Sequence, residues 1–581
     1  MKQVTNRFTW KIGGAAGDGI MVTGAMLGKI FTRAGLWVVD YSEYPSLIRG
    51  GHNTQVVQVD EEQIFSHDQG NEILVALNEE TVRLHAKEIS PNGVIIYDEE
   101  RLKILPAMIG NRNDISLMAV PFKKIAADLG GKDIMQNTVA LGASLGFLTA
   151  PFELVEDVMH DTFDDKGEAI VKMNIDIAKA GYEYVLKNFK KEFPWRIKPK
   201  KSEKRIIIGG NDAISLGLIQ GGLKFYSAYP MTPASSILST LAELAPTYGH
   251  ITKHSEDEIS AINLAIGASY AGVRAATGTS GGGFCLMTEG LGLAAETETP
   301  LVVINAQRPG PSTGMPTWTE QGDLRMVMHA SQGDFPRVVV APGNPEQAFY
   351  ESIRALNLAE LFQTQVIILT DKYLAESHWT SEFFDIKKIK IEKEKLADLR
   401  ANSDYFKRYL NTKNGISPRS IPGQAGGIFT ANSDEHNEFG FTSEAGEDRK
   451  MQMEKRAKKF QAISEYFSEP VVKYGPETAD VTLVTWGSTT LVCQEALRKL
   501  NAMGINANIL QILYILPFPT GLVTANLKNS KKTILIENNF SAQLGGVIRE
   551  YTGLVCNEKL LKYDGRPFWP EEIVEFVKKN I

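Results

Sequence analysis

The sequence predicts an α/β protein made of several domains. Apolar runs of strand length alternate with helix-like segments, and the turn between a strand and the next helix is rich in Gly, Pro, Ser or Thr. This order is typical of sheets that bind their ligands at the carboxyl ends of the strands. A chain of 581 residues is longer than one hydrophobic core usually supports, so we expect three or four domains.

Composition excludes several classes of protein. The formal net charge is −7 and no broad basic stripe occurs, which argues against a nucleic-acid binder. No apolar run approaches the roughly 20 residues that span a bilayer, and the amino-terminal sequence lacks the apolar core of a signal peptide. We therefore expect a cytoplasmic protein without a membrane segment.

The three cysteines, Cys285, Cys493 and Cys556, lie far apart in the sequence. This spacing predicts no disulfide framework and no metal site made of cysteines. It also excludes an iron–sulfur cluster held by this chain alone, which usually takes four thiolates.

The first predicted domain, residues 1–187, opens with a strand, the loop G-G-A-A-G-D-G at 13–19 and a helix. Such a loop can bind an anion through its backbone N–H groups, although its spacing differs from G-x-G-x-x-G and also suits close helix–strand packing. Gly17 and Gly19 are therefore candidate contacts for a phosphate or pantetheine group. Arg49, beside two glycines in S-L-I-R-G-G-H-N, is a further candidate, and a solvated turn arginine is its alternative interpretation.

Two segments without a regular pattern separate the predicted domains. Residues 188–204 are dense in charge, contain two prolines and are typical of an exposed linker. Residues 385–474 are rich first in Lys and Glu and then in Gly, Pro and Asn, so we expect an irregular binding loop or interface. The α/β alternation returns in residues 475–581 and predicts a last domain.

The predicted central domain, residues 205–384, carries most of the functional signals. Its strand 225–228 leads into Y-P-M-T-P. Pro233 suits the first position of the next helix, expected over 233–245, which would make Thr232 its N-cap. The same arrangement would place Thr232 at the carboxyl edge of the sheet, where ligands bind in this class of fold.

The next helix begins within S-E-D-E. Ser255 and Glu258 have the spacing of a capping box, which is the structural explanation of Glu258. The small residues that follow predict a tightly enclosed helix, so a carboxyl group at its head would face a crevice or another subunit, where its pKa can rise. The sequence does not decide whether Glu256, Asp257 or Glu258 points inward.

Two more loops lead to the same edge of the sheet. The loop G-T-S-G-G-G lets the backbone approach a ligand closely. Arg308, in Q-R-P-G-P-S-T-G, could bind a carboxylate through two parallel hydrogen bonds or form a structural salt bridge. The predicted cofactor contacts are Tyr229, Pro230, Gly278, Thr279, Ser280 and Gly281.

Together these motifs resemble the α subunit of the 2-oxoacid:ferredoxin oxidoreductases, most closely the 2-oxoglutarate branch. The motifs that carry the resemblance are G-N-D-A, Y-P-M-T-P-A-S-S, E-D-E-I-S-A-I-N-x-A-I-G-A-S-Y-A-G, T-G-T-S-G-G-G and Q-R-P-G-P-S-T-G. The amino-terminal domain resembles the γ subunit of that family, which implies a γ–α fusion. The implied fold is a γ-type α/β domain, a thiamin diphosphate-type pyrimidine-binding domain and a domain like the transketolase carboxyl-terminal domain.

The resemblance implies oxidative decarboxylation of a 2-oxoacid with thiamin diphosphate, in which ferredoxin takes the electrons and coenzyme A takes the acyl group. In that family the glutamate ahead of the small-residue helix shares a proton with the thiamin pyrimidine, and Glu258 matches it. Thr232 and Arg308 match positions that meet the 2-oxoacid. The γ-type domain, with Gly17, Gly19 and Arg49, is a candidate site for coenzyme A.

The chain looks incomplete for this reaction. It has no cluster of cysteines, and its G-D-G at 17–19 lacks an asparagine at the spacing of a diphosphate–magnesium motif. The resemblance therefore implies a β subunit that holds the diphosphate, Mg²⁺ and a [4Fe-4S] cluster. Thiamin would be shared with that subunit, in an (αβ)₂ assembly.

The substrate and two other classes of function stay open at this point. The 2-oxoglutarate assignment rests on the resemblance alone, and pyruvate or a broad range of 2-oxoacids would undergo the same chemistry. A non-catalytic scaffold subunit would need no well-placed acid. An NAD(P)-dependent dehydrogenase would use the amino-terminal glycine loop.

Overall fold

The computed structural model describes residues 3–47, 50–393, 396–399 and 405–581. The chain divides into two compact units. The first consists of Met1–Ile208, Glu376–Phe384 and Trp569–Glu572, and the second of Gly209–Ala375, Asp385–Phe568 and Ile573–Ile581.

The first unit contains an eight-stranded mixed sheet. Its strands follow this order across the sheet: Ser116–Ala119, Ile89–Tyr97, Asn71–Ala76, Phe8–Ala16, Gly50–Asp60, Trp37–Glu43, His378–Ser381 and Ile206–Gly209. The first four strands in this order are parallel to one another. From Phe8–Ala16 onward, each strand is antiparallel to the next as far as His378–Ser381. The predicted central domain included residues 376–384, but these belong to the first unit, because their strand hydrogen-bonds to its sheet.

Within the described residues, the helices that accompany this sheet are Ile20–Arg33, Glu79–His85, Phe122–Asp128, Gln136–Phe147, Glu153–Phe163 and Glu168–Asn188. The helix Gln136–Phe147 is buried along its whole length. Glycine makes this possible, since a Cβ atom on Gly142 would lie 1.8 Å from the carbonyl oxygen of Ala178 on the neighbouring helix. The two helices therefore cross with their backbones in direct contact.

The second unit contains two sheets. The seven-stranded sheet has the order Ile251–His254, Phe225–Ala228, Ala275–Thr279, Leu301–Gln307, Gln365–Asp371, Arg337–Val340 and Tyr514–Leu516. Its last pair is antiparallel, and the other pairs named here are parallel. The five-stranded sheet has the order Val471–Tyr474, Ala507–Ile512, Val481–Thr485, Lys532–Glu537 and Glu558–Leu561. This architecture confirms the predicted multidomain α/β class.

The helices of the second part of the chain are Gly210–Gln220, Ser235–Tyr248, Glu258–Tyr270, Gly281–Glu296, Leu324–His329, Pro345–Phe362, Lys372–Glu376, Gly446–Tyr466, Thr489–Ala502, Thr520–Asn529, Gln543–Thr552 and Pro570–Asn580. In the described ranges, none of the helices is both long and apolar enough to cross a membrane.

The helix Gly446–Tyr466 lies within residues 385–474, where an irregular segment was predicted, and that prediction is wrong for these 21 residues. The local sequence gives no clear helical signal, because charged residues occur on most sides of the helix and interrupt any apolar stripe. Buried ion pairs help to hold the helix in place. Lys455 and Lys459 both contact the carboxylate of Glu298, and Lys459 does so at 2.7 Å.

Glu298 is the anion that these two buried lysines share. Burial raises the pKa of its carboxyl group, but Lys455, Lys459 and Arg408 more than reverse this effect and hold the pKa well below its usual range. A buried charge is tolerated only when it is paired in this way. The helix is therefore fixed to the body of the second unit by buried charge pairs in addition to the apolar contacts of Phe460 and the buried Ile463.

Candidate active site

The predicted site residues meet at the carboxyl edge of the seven-stranded sheet. The parallel strands Phe225–Ala228, Ala275–Thr279 and Leu301–Gln307 are neighbours there. Tyr229, Ser280 and Arg308 directly follow these three strands. Adjacent parallel strands deliver the residues that follow them to the same side of a sheet, so the crevice predicted from the sequence has the expected location.

Glu258 is the first residue of the helix Glu258–Tyr270 and is only 3% exposed. The cap of this helix is Asp257, whose carboxylate accepts a hydrogen bond from the Ser260 N–H at 2.7 Å. The predicted capping box between Ser255 and Glu258 is therefore wrong, because the true box begins two residues after Ser255. Glu256 is exposed and Asp257 is occupied as the cap, so Glu258 is the buried acid.

The Glu258 carboxylate lies in a small space that a glycine keeps open. Its Oε1 atom is buried and has no hydrogen-bond partner among the described residues. A Cβ atom on Gly283 would lie 2.5 Å from this oxygen and 2.2 Å from the Thr279 hydroxyl oxygen. A buried polar atom without a partner costs about 1–3 kcal/mol, which indicates that a ligand completes this site.

Other polar atoms along this edge are also buried and unpaired within the described part of the chain. They are the side-chain oxygens of Ser280 and Asn305 and the Nε atom of Arg308. Native proteins leave few such atoms, and a cluster at the end of parallel strands is typical of a ligand site.

Arg308 and Thr232 come together, but through the main chain of the threonine. The Arg308 Nη1 atom donates a hydrogen bond to the Thr232 carbonyl oxygen at 2.7 Å. In the ranges that the structure describes, Arg308 forms no ion pair within 4.0 Å, so the salt-bridge alternative finds no support. Burial lowers the pKa of Arg308, and the nearby carboxyl groups of Asp323 and Glu258 partly reverse this effect.

Thr232 is not a helix N-cap, contrary to the prediction. The helix begins at Ser235, Ala234 holds the N-cap position, and the helix runs on to Tyr248. Residues 232–234 form a turn instead, in which the Ala234 N–H donates to the Met231 carbonyl oxygen. This turn frees the Thr232 carbonyl group for Arg308.

The remaining predicted cofactor contacts divide into two groups. Tyr229 and Pro230 are exposed at the edge, and Tyr229 is 40% exposed. Gly278, Thr279 and Ser280 are buried, and Gly281 begins the next helix. The space beside Gly278 is occupied by another residue of the chain rather than open to a ligand. A Cβ atom there would lie 2.3 Å from the hydroxyl oxygen of the buried Tyr226.

Asp323 is a site residue that sequence reasoning missed. Its carboxylate accepts a hydrogen bond from the Asn305 amide at 3.2 Å, and a Cβ atom on Gly281 would lie 2.4 Å from it. Burial raises the pKa of Asp323 to about 6, although Asn305 and Arg308 act in the opposite direction. The segment T-E-Q-G-D that contains it has no helical or strand period, so no local signal pointed to this acid.

The raised pKa of Asp323 predicts a pH dependence of stability. The folded state binds this proton more tightly than the unfolded state, so the stabilisation is complete below about pH 4 and is lost as the pH rises through 6. Asp323→Asn keeps an acceptor for Asn305 and removes the titration. We expect the variant to be more stable than the wild type by about 3 kcal/mol at pH 7.5, with a smaller gain at pH 4.5, in thermal unfolding across this range. Parallel pH profiles of the two proteins would contradict the prediction.

In the first unit, the two candidate glycines differ. Gly17 has a φ of +98° and open space around it, whereas a Cβ atom on Gly19 would lie 2.1 Å from the Asn137 side chain. A side chain at position 19 would thus displace the end of the Asn137 side chain, whereas the space around Gly17 is open. The strand Phe8–Ala16 takes up the first four residues of the predicted loop. Arg49 lies outside the described residues.

Three protein-family models match the chain. Residues 9–184 match the pyruvate ferredoxin/flavodoxin oxidoreductase model, and residues 216–455 match the thiamine diphosphate-binding domain of pyruvate flavodoxin/ferredoxin oxidoreductase. Residues 479–573 match core domain II of pyruvate:ferredoxin oxidoreductase.

Individual proteins resemble the chain over most of its length. The 2-oxoacid:ferredoxin oxidoreductase subunit alpha of Sulfolobus sp is 34% identical, over 99% of this chain and 97% of that protein. The 2-oxoglutarate synthase subunit KorA of Archaeoglobus fulgidus is 33% identical, over 64% of this chain and 99% of that protein. A solved structure of the 2-oxoglutarate:ferredoxin oxidoreductase from Magnetococcus marinus is 32% identical, covers 99% of both chains and has a TM-score of 0.91.

Proposed function

Because this chain belongs to the α subunits of the 2-oxoacid:ferredoxin oxidoreductases, we propose that it converts 2-oxoglutarate and coenzyme A to succinyl-CoA and CO₂, with reduction of ferredoxin. The observation that carries the proposal is the buried Oε1 atom of Glu258, unpaired among the described residues, at the carboxyl edge of the sheet. A scaffold subunit would have no reason to keep a carboxyl group there.

The residues around Glu258 fit the pyrimidine of thiamin diphosphate. The bound cofactor supplies a nucleophilic carbon and an electron sink for decarboxylation. Glu258 can hold a proton at Oε1 and share it with a ring nitrogen of that pyrimidine. Since the carboxyl group is buried, water does not compete for this hydrogen bond, which strengthens it. Gly283 provides the room for this contact.

Arg308 is suited to bind the carboxylate of the substrate. One end of its guanidinium is fixed by the Thr232 carbonyl group, and Nε has no partner among the described residues. The planar fork can then hold a carboxylate through parallel N–H bonds. Asp323 lies close enough for its charge to raise the pKa of Arg308 and so to favour the charged guanidinium.

The preference for 2-oxoglutarate has support from relatives. The solved relative from Magnetococcus marinus has 2-oxoglutarate, coenzyme A and succinyl-CoA bound. Three shorter relatives are 2-oxoglutarate synthase subunits. We assign coenzyme A to the first unit, with Gly17, Gly19 and Arg49 as its proposed contacts.

A β subunit would complete the site. The helix that begins at Glu258 was expected to be enclosed, yet it leaves Ile259 47% and Leu264 41% exposed. Apolar side chains exposed beside a buried site acid fit a surface that another subunit covers. We propose that this subunit holds the diphosphate, Mg²⁺ and a [4Fe-4S] cluster, that ferredoxin accepts electrons from it, and that the assembly is (αβ)₂.

The proposal is tested by assaying the co-purified complex with a panel of 2-oxoacids, coenzyme A and a viologen acceptor. We expect kcat/KM for 2-oxoglutarate to exceed that for pyruvate and for branched 2-oxoacids by at least about tenfold, because the second carboxylate adds a charge-assisted contact. A preference for pyruvate would overturn the substrate assignment. Absence of turnover with every 2-oxoacid would overturn the proposed function itself.

A further inference from the structure

Arg337 is a buried cation without the ion pair that such groups normally have, as far as the described residues extend. It begins the strand Arg337–Val340 and is only 5% exposed. Its Nη1 atom donates to the Val327 carbonyl oxygen at 3.2 Å, and its guanidinium carbon lies 4.3 Å from the centre of the Phe335 ring. Within the described ranges, no carboxylate lies within 4.0 Å of it and its other nitrogens donate no hydrogen bond.

Arg274, a comparable buried arginine of the same unit, shows the usual arrangement. It is 9% exposed and forms an ion pair with Glu360 at 2.5 Å. Its other nitrogens donate to the Gly221 carbonyl, the Asn357 side chain and the Glu392 carbonyl. Buried charges generally need such compensation. In the part of the chain that the structure describes, Arg337 therefore lacks an anionic partner of the kind that Arg274 has.

A cavity lies next to Arg337. Its volume is about 390 Å³, and Arg337 is part of its wall. Much of the remaining wall is apolar and comes from three separate parts of the unit, including Met328, Met453, Phe460 and Leu516. This size lies within the range of cavities that hold small organic molecules.

The charges around the cavity select for a ligand with one negative charge. Arg456 also lines it, but its guanidinium already pairs with Glu296 at 2.8 Å and with Glu435 at 3.0 Å. Of these two arginines, Arg337 is therefore the one without a counter-charge among the described residues, and the exposed Asp334 at the wall disfavours a dianion such as phosphate. Burial lowers the pKa of Arg337 to about 10, which a bound carboxylate would reverse.

We propose that this cavity is a binding site for an amphipathic monocarboxylate, with the carboxylate on Arg337 and the apolar body against Met453, Phe460 and Leu516. The site is separate from the carboxyl-edge residues of the proposed reaction and does not depend on that function. Arg337 supplies the charge for such a site, because it lines the cavity, lies against the ring of Phe335 and has nitrogens that donate no hydrogen bond within the described residues.

The test uses the full chain and two probes of the same shape, octanoate and octanamide, in isothermal titration calorimetry. We expect octanoate to bind the wild type at least tenfold more tightly than octanamide. Arg337→Gln keeps an N–H donor for the Val327 carbonyl group and removes the charge. It should weaken octanoate binding at least tenfold and leave octanamide binding within twofold.

Two further variants separate binding from folding. Ala457 lines the cavity, so Ala457→Phe should fill the cavity and should weaken both probes. Lys450→Gln, on the same helix and 79% exposed, is the matched control and should change neither. Equal binding of the two probes to the wild type, no saturation by octanoate at millimolar concentration, or unchanged octanoate binding to Arg337→Gln or Ala457→Phe would overturn the proposal.

Discussion

Glu258→Gln is expected to lower turnover with 2-oxoglutarate and coenzyme A by roughly 10³-fold, a loss typical of removing a group that transfers protons. Glutamine has nearly the same shape and can still form a hydrogen bond, but it cannot give or take a proton at this position. The variant should fold normally, because the wild-type Oε1 atom has no protein partner to lose within the described residues. The measurement is kcat for viologen reduction by the complete complex.

Glu256→Gln is the matched control for this experiment. Glu256 lies two residues away, has the same side chain and is exposed, whereas Glu258 is buried. We expect the control to keep turnover within about twofold, as is usual for surface substitutions. Turnover of Glu258→Gln above a tenth of the wild-type value would contradict the proposed role and favour a scaffold function for this chain.

The sequence was most informative where a local pattern and a fold rule agreed. Strand-ending turns rich in Gly and Pro predicted that Tyr229, Ser280 and Arg308 meet at one edge, because adjacent parallel strands leave no other arrangement. The identity of the buried acid was not predictable. Three consecutive acids occur around the start of the helix, and which of them is buried depends on whether Ser255 or Asp257 caps the helix. These two caps differ by only a small free energy.

Asp323 and the helix Gly446–Tyr466 were beyond the reach of sequence patterns for a different reason. Asp323 reaches the site through an irregular segment, and only the tertiary fold brings it to Asn305 and Gly281. The helix is held by lysines that pair with Glu298, more than 150 residues earlier in the chain. Neither contact has a periodic signature, since both depend on where distant segments meet.

Gly283→Ala should displace the Glu258 carboxyl group, so that turnover falls far more than the stability of the fold. The added methyl group would lie 2.2 Å from the Thr279 hydroxyl oxygen, 2.5 Å from Glu258 Oε1 and 2.6 Å from its Cγ. Both side chains would have to shift, so we expect the free energy of unfolding to fall by about 1–3 kcal/mol. Turnover should fall at least about a hundredfold, since a displacement of roughly 1 Å of a catalytic group has this effect.

Gly282→Ala is the control for stability, because a Cβ atom there has no neighbour closer than the Ser312 carbonyl oxygen at 3.9 Å. Replacing glycine in a helix stabilises the folded state by up to about 1 kcal/mol, so the two adjacent substitutions should shift the melting temperature in opposite directions. Unchanged turnover of Gly283→Ala, with its stability reduced as expected, would mean that the Glu258 carboxyl group can move without loss of function. The close contact across Gly283 would then be packing alone, and the acid that serves the cofactor would have to lie elsewhere at this edge, where Asp323 is a half-buried carboxyl group with a raised pKa.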